Sequence, residues 1–188
     1  MFTLKKWCSA LLFLTAFGLA GPAAAWVPSG TQSIILDGRD GQSITIGTVT
    51  FTPGADRIGI AVQLDHTRLQ DFFLSMKEFK CLDTPDEVFC HVPYPHTNPA
   101  SVTADDLAWL EHALLFFYKA PSDFGAKLWN GVYYKLRQTE RGLIGTPQAI
   151  DLNQIGAPPD NTATPPYGPG ERSEMAPGAR WFGTLRIE

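Results

Sequence analysis

Apolar and polar residues alternate with a period of two through much of the chain, a pattern that predicts β-strands. The most regular example is the stretch 58–64, in which an aliphatic residue occupies every second position. The same alternation predicts strands at 72–76, 132–137, 143–152 and 181–187. Because proline cannot donate a backbone hydrogen bond, Pro147 confines the strand at 143–152 to a sheet edge or a bulge.

An N-terminal hairpin is predicted by two turn dipeptides, Asp37-Gly38 and Asp40-Gly41, which follow an apolar stretch at 34–36. In the returning strand, the apolar residues before Gly47 have one parity and those after it have the other. An extra residue at a bulge would restore a common inward face, so the sequence predicts a β-bulge at Gly47.

Helical spacing occurs at one place, where Thr103 resembles an N-cap and leucines follow at positions 107, 110 and 114. The pattern predicts a helix over 104–117, with Asp105 and Asp106 complementing the helix dipole in its first turn. Residues 113–118 are apolar on every side, which suits either the end of this helix or a core strand.

A proline- and glycine-rich segment at about 156–178 predicts a long loop before the final strand. The terminal strand must cross this loop to reach its partners, so residues 26–188 are predicted to form a single domain. The fold class is mainly β, with α+β as the other option. We expect an antiparallel sandwich or a partly closed barrel with one central helix.

The N-terminal residues follow the plan of a signal peptide. Lys5 and Lys6 precede an uncharged run of about 14 residues, which at roughly 1.5 Å per residue is too short to span a bilayer core of about 30 Å. The small residues at 23–25 predict a signal peptide at 1–25 and cleavage before Trp26. No second segment approaches the length of a membrane span, so the mature chain is expected to be soluble.

Composition and charge limit the expected cellular compartment and the expected classes of partner. The 188-residue chain has a net charge of −4, and loss of residues 1–25 removes two lysines and no acids, which makes the mature charge −6. A nucleic-acid-binding surface needs clustered basic residues, so nucleic acid is not an expected partner. The chain contains no Asn-x-Ser/Thr acceptor with an allowed middle residue, and we expect a bacterial protein, periplasmic or secreted.

Two cysteines, Cys81 and Cys90, follow the predicted cleavage site, and in an exported protein such a pair most simply forms a disulfide. A turn centred on Pro85-Asp86 would place the two cysteines directly opposite each other in a hairpin. We therefore predict a disulfide that adds stability and carries out no chemistry.

The recognised catalytic and cofactor motifs are missing from the sequence, so no catalytic residue, cofactor or metal is assigned. Four histidines, His66, His91, His96 and His112, are the candidate metal ligands, together with Asp65 and Glu111. No regular geometry brings His91 and His96 together, and the predicted hairpin places His91 opposite Lys80, whose charge disfavours a cation. The histidines are interpreted as surface and loop residues.

Two further sets of residues could hold a ligand. Tyr133, Lys135 and Arg137 share one strand face, with Arg141 just beyond, and could form the basic rim of a binding site or only a solvated face. A second set of aromatic residues could line a ligand cavity or simply pack a core. These are Phe116, Phe117, Tyr118, Phe124, Trp129 and Trp181.

The sequence therefore predicts a non-catalytic binding or interaction protein, whose partner is a small apolar molecule or an envelope protein. The alternative is a hydrolase whose histidine and carboxylate pair is assembled only by the fold. A pocket in which two of the four histidines meet an acid would favour the hydrolase.

Overall fold

A computed structural model describes residues 28–188, so the predicted signal peptide and its cleavage site lie outside the described residues. The first six strands are β1 (Gly30–Gly38), β2 (Ser43–Pro53), β3 (Ile58–Leu64), β4 (Gln70–Leu74), β5 (Lys77–Asp83) and β6 (Val88–Val92). A short strand β7 (Ser101–Val102), the helix α1 (Ala108–Ala113) and strand β8 (Leu115–Lys119) follow. The remaining strands are β9 (Gly131–Thr139), β10 (Gly142–Ile150), β11 (Ser173–Glu174) and β12 (Phe182–Ile187). Leu152–Ile155 and Pro169–Glu171 form single turns of 3-10 helix.

All the strands belong to one antiparallel sheet, which is not closed. The strand order is β4-β5-β6-β8-β9-β10-β12-β1-β2-β3-β7, and β11 pairs with β10 off this path. The C-terminal strand β12 thus lies between the N-terminal strand β1 and β10, which ties both ends of the described chain together. Over residues 28–188, the prediction of a mainly β, antiparallel fold with one α-helix is confirmed.

The bulge predicted at Gly47 is present in the β1–β2 hairpin. Ile34 pairs with Gly47 and Ile35 pairs with Thr45, so Ile46 is the extra residue. The bulge brings Ile46 onto the buried face together with Val49 and Phe51. A single unpaired residue therefore corrects the change of parity in the sequence.

A second bulge corrects the parity of the last strand. Asp37 pairs with Thr184 while Gly38 pairs with Phe182, so Gly183 is the extra residue. Phe182 and Leu185 are consequently both fully buried although they stand at positions of opposite parity. The strand was predicted as a simple alternation, and this second bulge was not.

The disulfide hairpin has the predicted register. Cys81 pairs with Cys90, Asp83 with Val88, and a disulfide joins the two cysteines, whose Cα atoms are 3.9 Å apart. The amide of Thr84 donates to the carbonyl oxygen of Glu87 at 3.1 Å, which closes the turn. Turn chemistry in the sequence was sufficient to set this register.

Met76 does not continue the alternating strand that was predicted at 72–76. Strand β4 ends at Leu74, and Ser75 and Met76 form a two-residue turn with φ of 50° and 63°. Two residues with positive φ match the twist of a hairpin, so the chain reverses here and returns as β5.

The helix predicted over 104–117 is much shorter in the structure. The hydroxyl of Thr103 accepts a bond from the amide of Asp106, and the Asp106 carboxylate accepts one from the amide of Ala108. These bonds form turns before α1, which begins only at Ala108. After α1 the chain extends as β8 and pairs with β6 and β9. Of the ambiguous residues 113–118, Ala113 therefore ends the helix and those from Leu115 onward are strand.

The sheet packs apolar side chains on both of its faces. The inner core is enclosed by the curved sheet and includes Phe89, Phe116 and Tyr134. The outer core lies on the opposite face of β5, β6, β8 and β9, and includes Phe79, Phe117 and Tyr133. The segment after β10 covers this outer face with Leu152, Ile155 and Tyr167.

The bulge at Gly47 leads to a test of stability. A Cβ added to Gly47 would lie 2.3 Å from the carbonyl oxygen of Gln63, so Gly47→Ala should lower stability by about 1–3 kcal/mol. Gly183→Ala is the matched control, because a Cβ at that bulge meets no atom within 4 Å. Thermal unfolding of both variants measures the difference. Equal melting temperatures would show that β2 does not hold this register.

Removing the disulfide tests its role. Replacing both Cys81 and Cys90 by serine should lower stability by about 2.5–3 kcal/mol, because the bond closes a loop of about ten residues. The double variant should retain a β-rich circular dichroism spectrum, since both cores remain. A double variant as stable as the parent would contradict a stabilising disulfide.

Candidate functional site

Glu111 is a buried carboxylate that replaces a missing strand partner. Strand β8 pairs with β9 only as far as Tyr133, and α1 occupies the space beside the rest of β9. The side chain of Glu111 accepts a bond from the amide of Leu136 at 2.7 Å and a short bond from the hydroxyl of Tyr133. Lys135 adds an ion pair at 3.0 Å. Every bond that Glu111 makes therefore serves the fold.

His112, the next residue, attaches the segment after β10 to the helix α1. Its Nδ1 lies 2.7 Å from the carbonyl oxygen of Ala108, and its Nε2 lies 3.1 Å from the amide nitrogen of Tyr167. A carbonyl can only accept and an amide can only donate, so Nδ1 carries the proton and the ring is neutral. Burial agrees with this state, because it lowers the pKa of His112 to about 4.

Two other histidines also bind main-chain carbonyl oxygens. His91 lies 3.1 Å from the oxygen of Ala113, and His96 lies 2.9 Å from the oxygen of Ile155. Burial lowers the pKa of His91 to about 4. Neither ring was expected from the sequence to be tied to the backbone, because the acceptors are 22 and 59 residues away along the chain.

His66 and His91 line one cleft of about 450 Å³, so two of the four histidines do come near each other. The described residues that line this cleft include Lys80 and no carboxylate. Within residues 28–188, no group of three or more histidine, cysteine, aspartate or glutamate side chains is arranged to hold a metal. The two histidines of this cleft therefore have no carboxylate among the described residues that line it.

Tyr133, one residue of the predicted basic rim, is buried. Its side chain is 1% exposed and packed in the outer core. Its ring also lies beneath the guanidinium of Arg172, 4.8 Å from the ring centroid. Burial and the nearby Glu111 raise the pKa of Tyr133. Lys135 and Arg137 are exposed, but Lys135 is paired with Glu111. Tyr133 is therefore not available to a partner on this face.

The candidate aromatic residues fall into two groups. Phe116 and Phe117 are fully buried in the two cores, and Tyr118 and Trp181 pack against the inner one. Phe124 and Trp129 are 94% and 60% exposed, on the loop between β8 and β9. Of the two interpretations, core packing describes Phe116, Phe117, Tyr118 and Trp181, whereas Phe124 and Trp129 belong to neither core.

The loop that carries Phe124 and Trp129 is joined by a hydrogen bond to a second segment with exposed apolar side chains. Met76 and Phe73 are 90% and 76% exposed, on and beside the turn between β4 and β5. The amide of Ala126 donates to the hydroxyl of Ser75 at 2.9 Å, which joins this turn to the loop. We call the four side chains Phe73, Met76, Phe124 and Trp129 the apolar tip.

A small apolar pocket of about 230 Å³ adjoins the apolar tip. Lys77 and Leu128, the neighbours of Met76 and Trp129 in the sequence, are among the residues that line it. Its walls are otherwise mostly apolar: Phe79, Val92, Pro93, Pro95, Leu152, Ile155 and Gly156. Lys77 and Lys127 place positive charge beside aromatic rings, with Nζ 5.7 Å from the Phe79 centroid and 5.3 Å from the Trp129 centroid.

The residues of the predicted basic rim, Tyr133, Lys135 and Arg137, do not line this pocket. The sequence offered one signal for the apolar tip, two large aromatics and a lysine in a loop that has no strand or helix to bury them. Met76 was assigned to a strand, so its exposure at a turn was missed.

Comparisons with known proteins add nothing to this geometry. No protein-family model matches the chain, and neither a curated protein nor a solved structure matches it. Among the described helices, none has the length and apolar character needed to cross a membrane.

The neutral state of His112 leads to a prediction about pH. The pKa is about 4 in the folded chain and 6.5 for an ordinary histidine, so the unfolded chain binds more protons between these values. Stability is therefore lost as the pH falls from 6.5 to 4, by about 3 kcal/mol from this residue. The amide of Tyr167 should lose protection from hydrogen exchange over the same range.

The control is His112→Gln, whose side chain does not titrate. Denaturant unfolding at about pH 7 and pH 4 should give a smaller loss of stability for this variant than for the parent, by up to about 3 kcal/mol. The His91→Gln variant should show a similar reduction, because burial lowers that pKa to the same value. Identical losses in the parent and His112→Gln would contradict the neutral, buried state.

Proposed function

We propose that this protein is an exported, non-catalytic binding module that attaches to another protein of the bacterial envelope or of the extracellular space. The contact is made by the apolar tip and the adjoining pocket. The observation that carries the proposal is the placement of four large apolar side chains, all 60–94% exposed, on two segments that a hydrogen bond joins. Exposed apolar groups gathered in this way are typical of protein contact sites.

The size of the pocket favours a protein over a small apolar molecule as the partner. Sites that enclose a small molecule usually measure about 300–1,000 Å³, and this pocket holds about 230 Å³. One apolar side chain of a partner would fill it, while Phe124 and Trp129 would contact the surrounding surface. Tryptophan is among the residues that contribute most to binding energy at protein interfaces.

Charge indicates which kind of protein surface fits. Lys77 and Lys127 stand at the rim, so the complementary surface carries an apolar centre bordered by aspartate or glutamate. The Cys81–Cys90 disulfide supports an oxidising compartment for both proteins. The buried polar residues of α1 support a non-catalytic role, because their bonds are made within the fold.

Site-specific photocrosslinking tests the proposal in the exporting cell. A benzophenone side chain at Phe124 or Trp129 should give a discrete crosslink to one envelope or secreted protein. The same probe at Arg137 or Arg141, on the β9–β10 hairpin, is the control and should give no such product.

The purified partner then provides a quantitative test. Phe124→Ser combined with Trp129→Ser should weaken its binding by more than about tenfold, because each large side chain is expected to contribute more than 1 kcal/mol. Arg137→Ser combined with Arg141→Ser is the matched control and should leave the affinity unchanged. A stoichiometric small molecule in native mass spectra, with no crosslinked protein, would contradict the proposal.

A further inference from the structure

The open side of the sheet contains a strand edge that no described strand covers along its full length. Strand β7 pairs with β3 only at Ile58 and Gly59, and the amide of Ile60 adds a bond to the carbonyl oxygen of Ala100 at 2.8 Å. Beyond Ile60, none of the strands in residues 28–188 pairs with this edge of β3. Among the residues that the structure describes, the edge is therefore open as far as Leu64.

The direction of the backbone groups on this edge follows from the observed pairing. In an antiparallel strand, the amide and the carbonyl of one residue point to the same side, and successive residues alternate. The amide of Ile60 points away from β2, so those of Val62 and Leu64 do as well. Pro53, which has no amide, pairs with Ile58 and agrees with this assignment. Two amides and two carbonyls thus face outward.

Val62 and Leu64, the residues whose backbone groups face outward, help to line the cleft of about 450 Å³. The opposite wall is formed by β5, β6 and the chain that follows, through Lys80, His91 and Tyr94. The cleft is therefore bounded by a strand edge on one side and by mixed apolar and polar side chains on the other.

We infer that this cleft binds an extended peptide segment of a partner protein, which joins β3 as an additional strand and places a carboxylate beside Lys80 and His66. The segment pairs with the amides and carbonyls of Val62 and Leu64 at the usual strand separation of about 4.8 Å. Its alternate side chains face the apolar part of the cleft wall.

Two observations select a peptide as the occupant. Donors and acceptors that alternate along a strand edge match the backbone of another strand, and a compact small molecule does not reproduce that spacing. The residues around the cleft also favour an anion, because the described lining contains Lys80 and no carboxylate. Asp71 and Glu78 pair with Lys80 but do not line the cleft, so an incoming carboxylate competes with exposed groups only.

The cleft shares no residue with the apolar tip, and it shares only Pro93 with the pocket that adjoins the tip. The proposal therefore does not depend on the function proposed above. Binding in the cleft should persist in the Phe124→Ser, Trp129→Ser variant, so failure of one proposal is distinguishable from failure of the other.

A displayed library of random peptides, each of about eight residues, is the probe, since this is within the usual length of a strand. Selected peptides should bind the parent protein and carry an acidic residue or a free C-terminal carboxylate. Their binding should slow hydrogen exchange at the amides of Val62 and Leu64. The amides of Ala61 and Gln63, which face β2, should be protected with or without peptide.

The decisive variant is Val62→Pro, which removes an outward amide and leaves the bonds between β2 and β3 intact. It should weaken peptide binding by about fivefold to tenfold, the effect of one backbone hydrogen bond. Val62→Ala is the matched control, because it shortens the same side chain and keeps the amide. N-methylation of alternate peptide amides tests the same bonds without changing the protein, should Val62→Pro unfold.

Three outcomes would overturn the proposal. The first is a library that yields no peptide above the background of an unrelated protein. The second is a set of selected peptides that bind equally well after Val62→Pro or after N-methylation at every alternate amide. The third is a concentration-dependent dimer in which a second copy of this chain protects Val62 and Leu64.

Discussion

The structure depends on burying two adjacent strands on both faces. Phe116 and Phe117 are consecutive residues of β8, point to opposite faces of the sheet, and are both fully buried. Tyr133 and Tyr134 repeat this arrangement on β9. A strand of this kind needs an apolar layer above and below it. Each aromatic ring left exposed to water would lose roughly 1.5–3 kcal/mol of the free energy gained by burial. The chain supplies one layer by curving the sheet and the other by folding the segment after β10 across its outer face.

Several buried polar contacts follow from this requirement. The outer layer is an irregular segment with little secondary structure of its own, so side chains attach it to the sheet. His112 holds the amide of Tyr167, and His96 holds the carbonyl of Ile155. At the other end of the sheet, buried Glu87 accepts a bond from the amide of Trp181 and pairs with Arg180 at 3.1 Å, which holds the start of β12. These residues resemble active-site groups in type, but their hydrogen bonds are to the backbone of the fold.

The same architecture explains where the surface remains incomplete. The segment after β10 covers the outer face but leaves the β4–β5 turn and the β8–β9 loop uncovered. The apolar side chains on this turn and this loop therefore stay exposed. The curved sheet also stops short of closure, which leaves the edge of β3 beside β5 and β6. The apolar tip thus lies where the outer layer ends, and the cleft beside β3 lies where the sheet stops short of closure.

Much of the fold could be predicted from the sequence, because the signals involved act over a few residues. Alternation located strands such as β3, β9 and β12, the change of parity around Gly47 located a bulge, and the turn at Pro85-Asp86 set the register of Cys81 and Cys90. Each of these depends on the pleat of a strand or on the dihedral angles of a turn. Each of these signals lies within a few residues of the strand, bulge or turn that it specifies, so a single sequence contains the necessary information.

Tertiary structure alone decided which side chains are buried and which are exposed. Tyr133 alternates with Val132 and Tyr134 as a solvated residue would, yet it is buried because Tyr167 and Arg172, from the segment after β10, pack against its ring. The run from Leu114 to Tyr118 has no periodicity because both of its faces are covered, so neither helix nor strand could be chosen from the pattern. Phe124 and Met76 are as apolar as core residues but have no layer above them. These three cases have the same physical reason. A periodic pattern shows which side chains of a segment share a face, whereas the burial of that face depends on which distant segment packs against it.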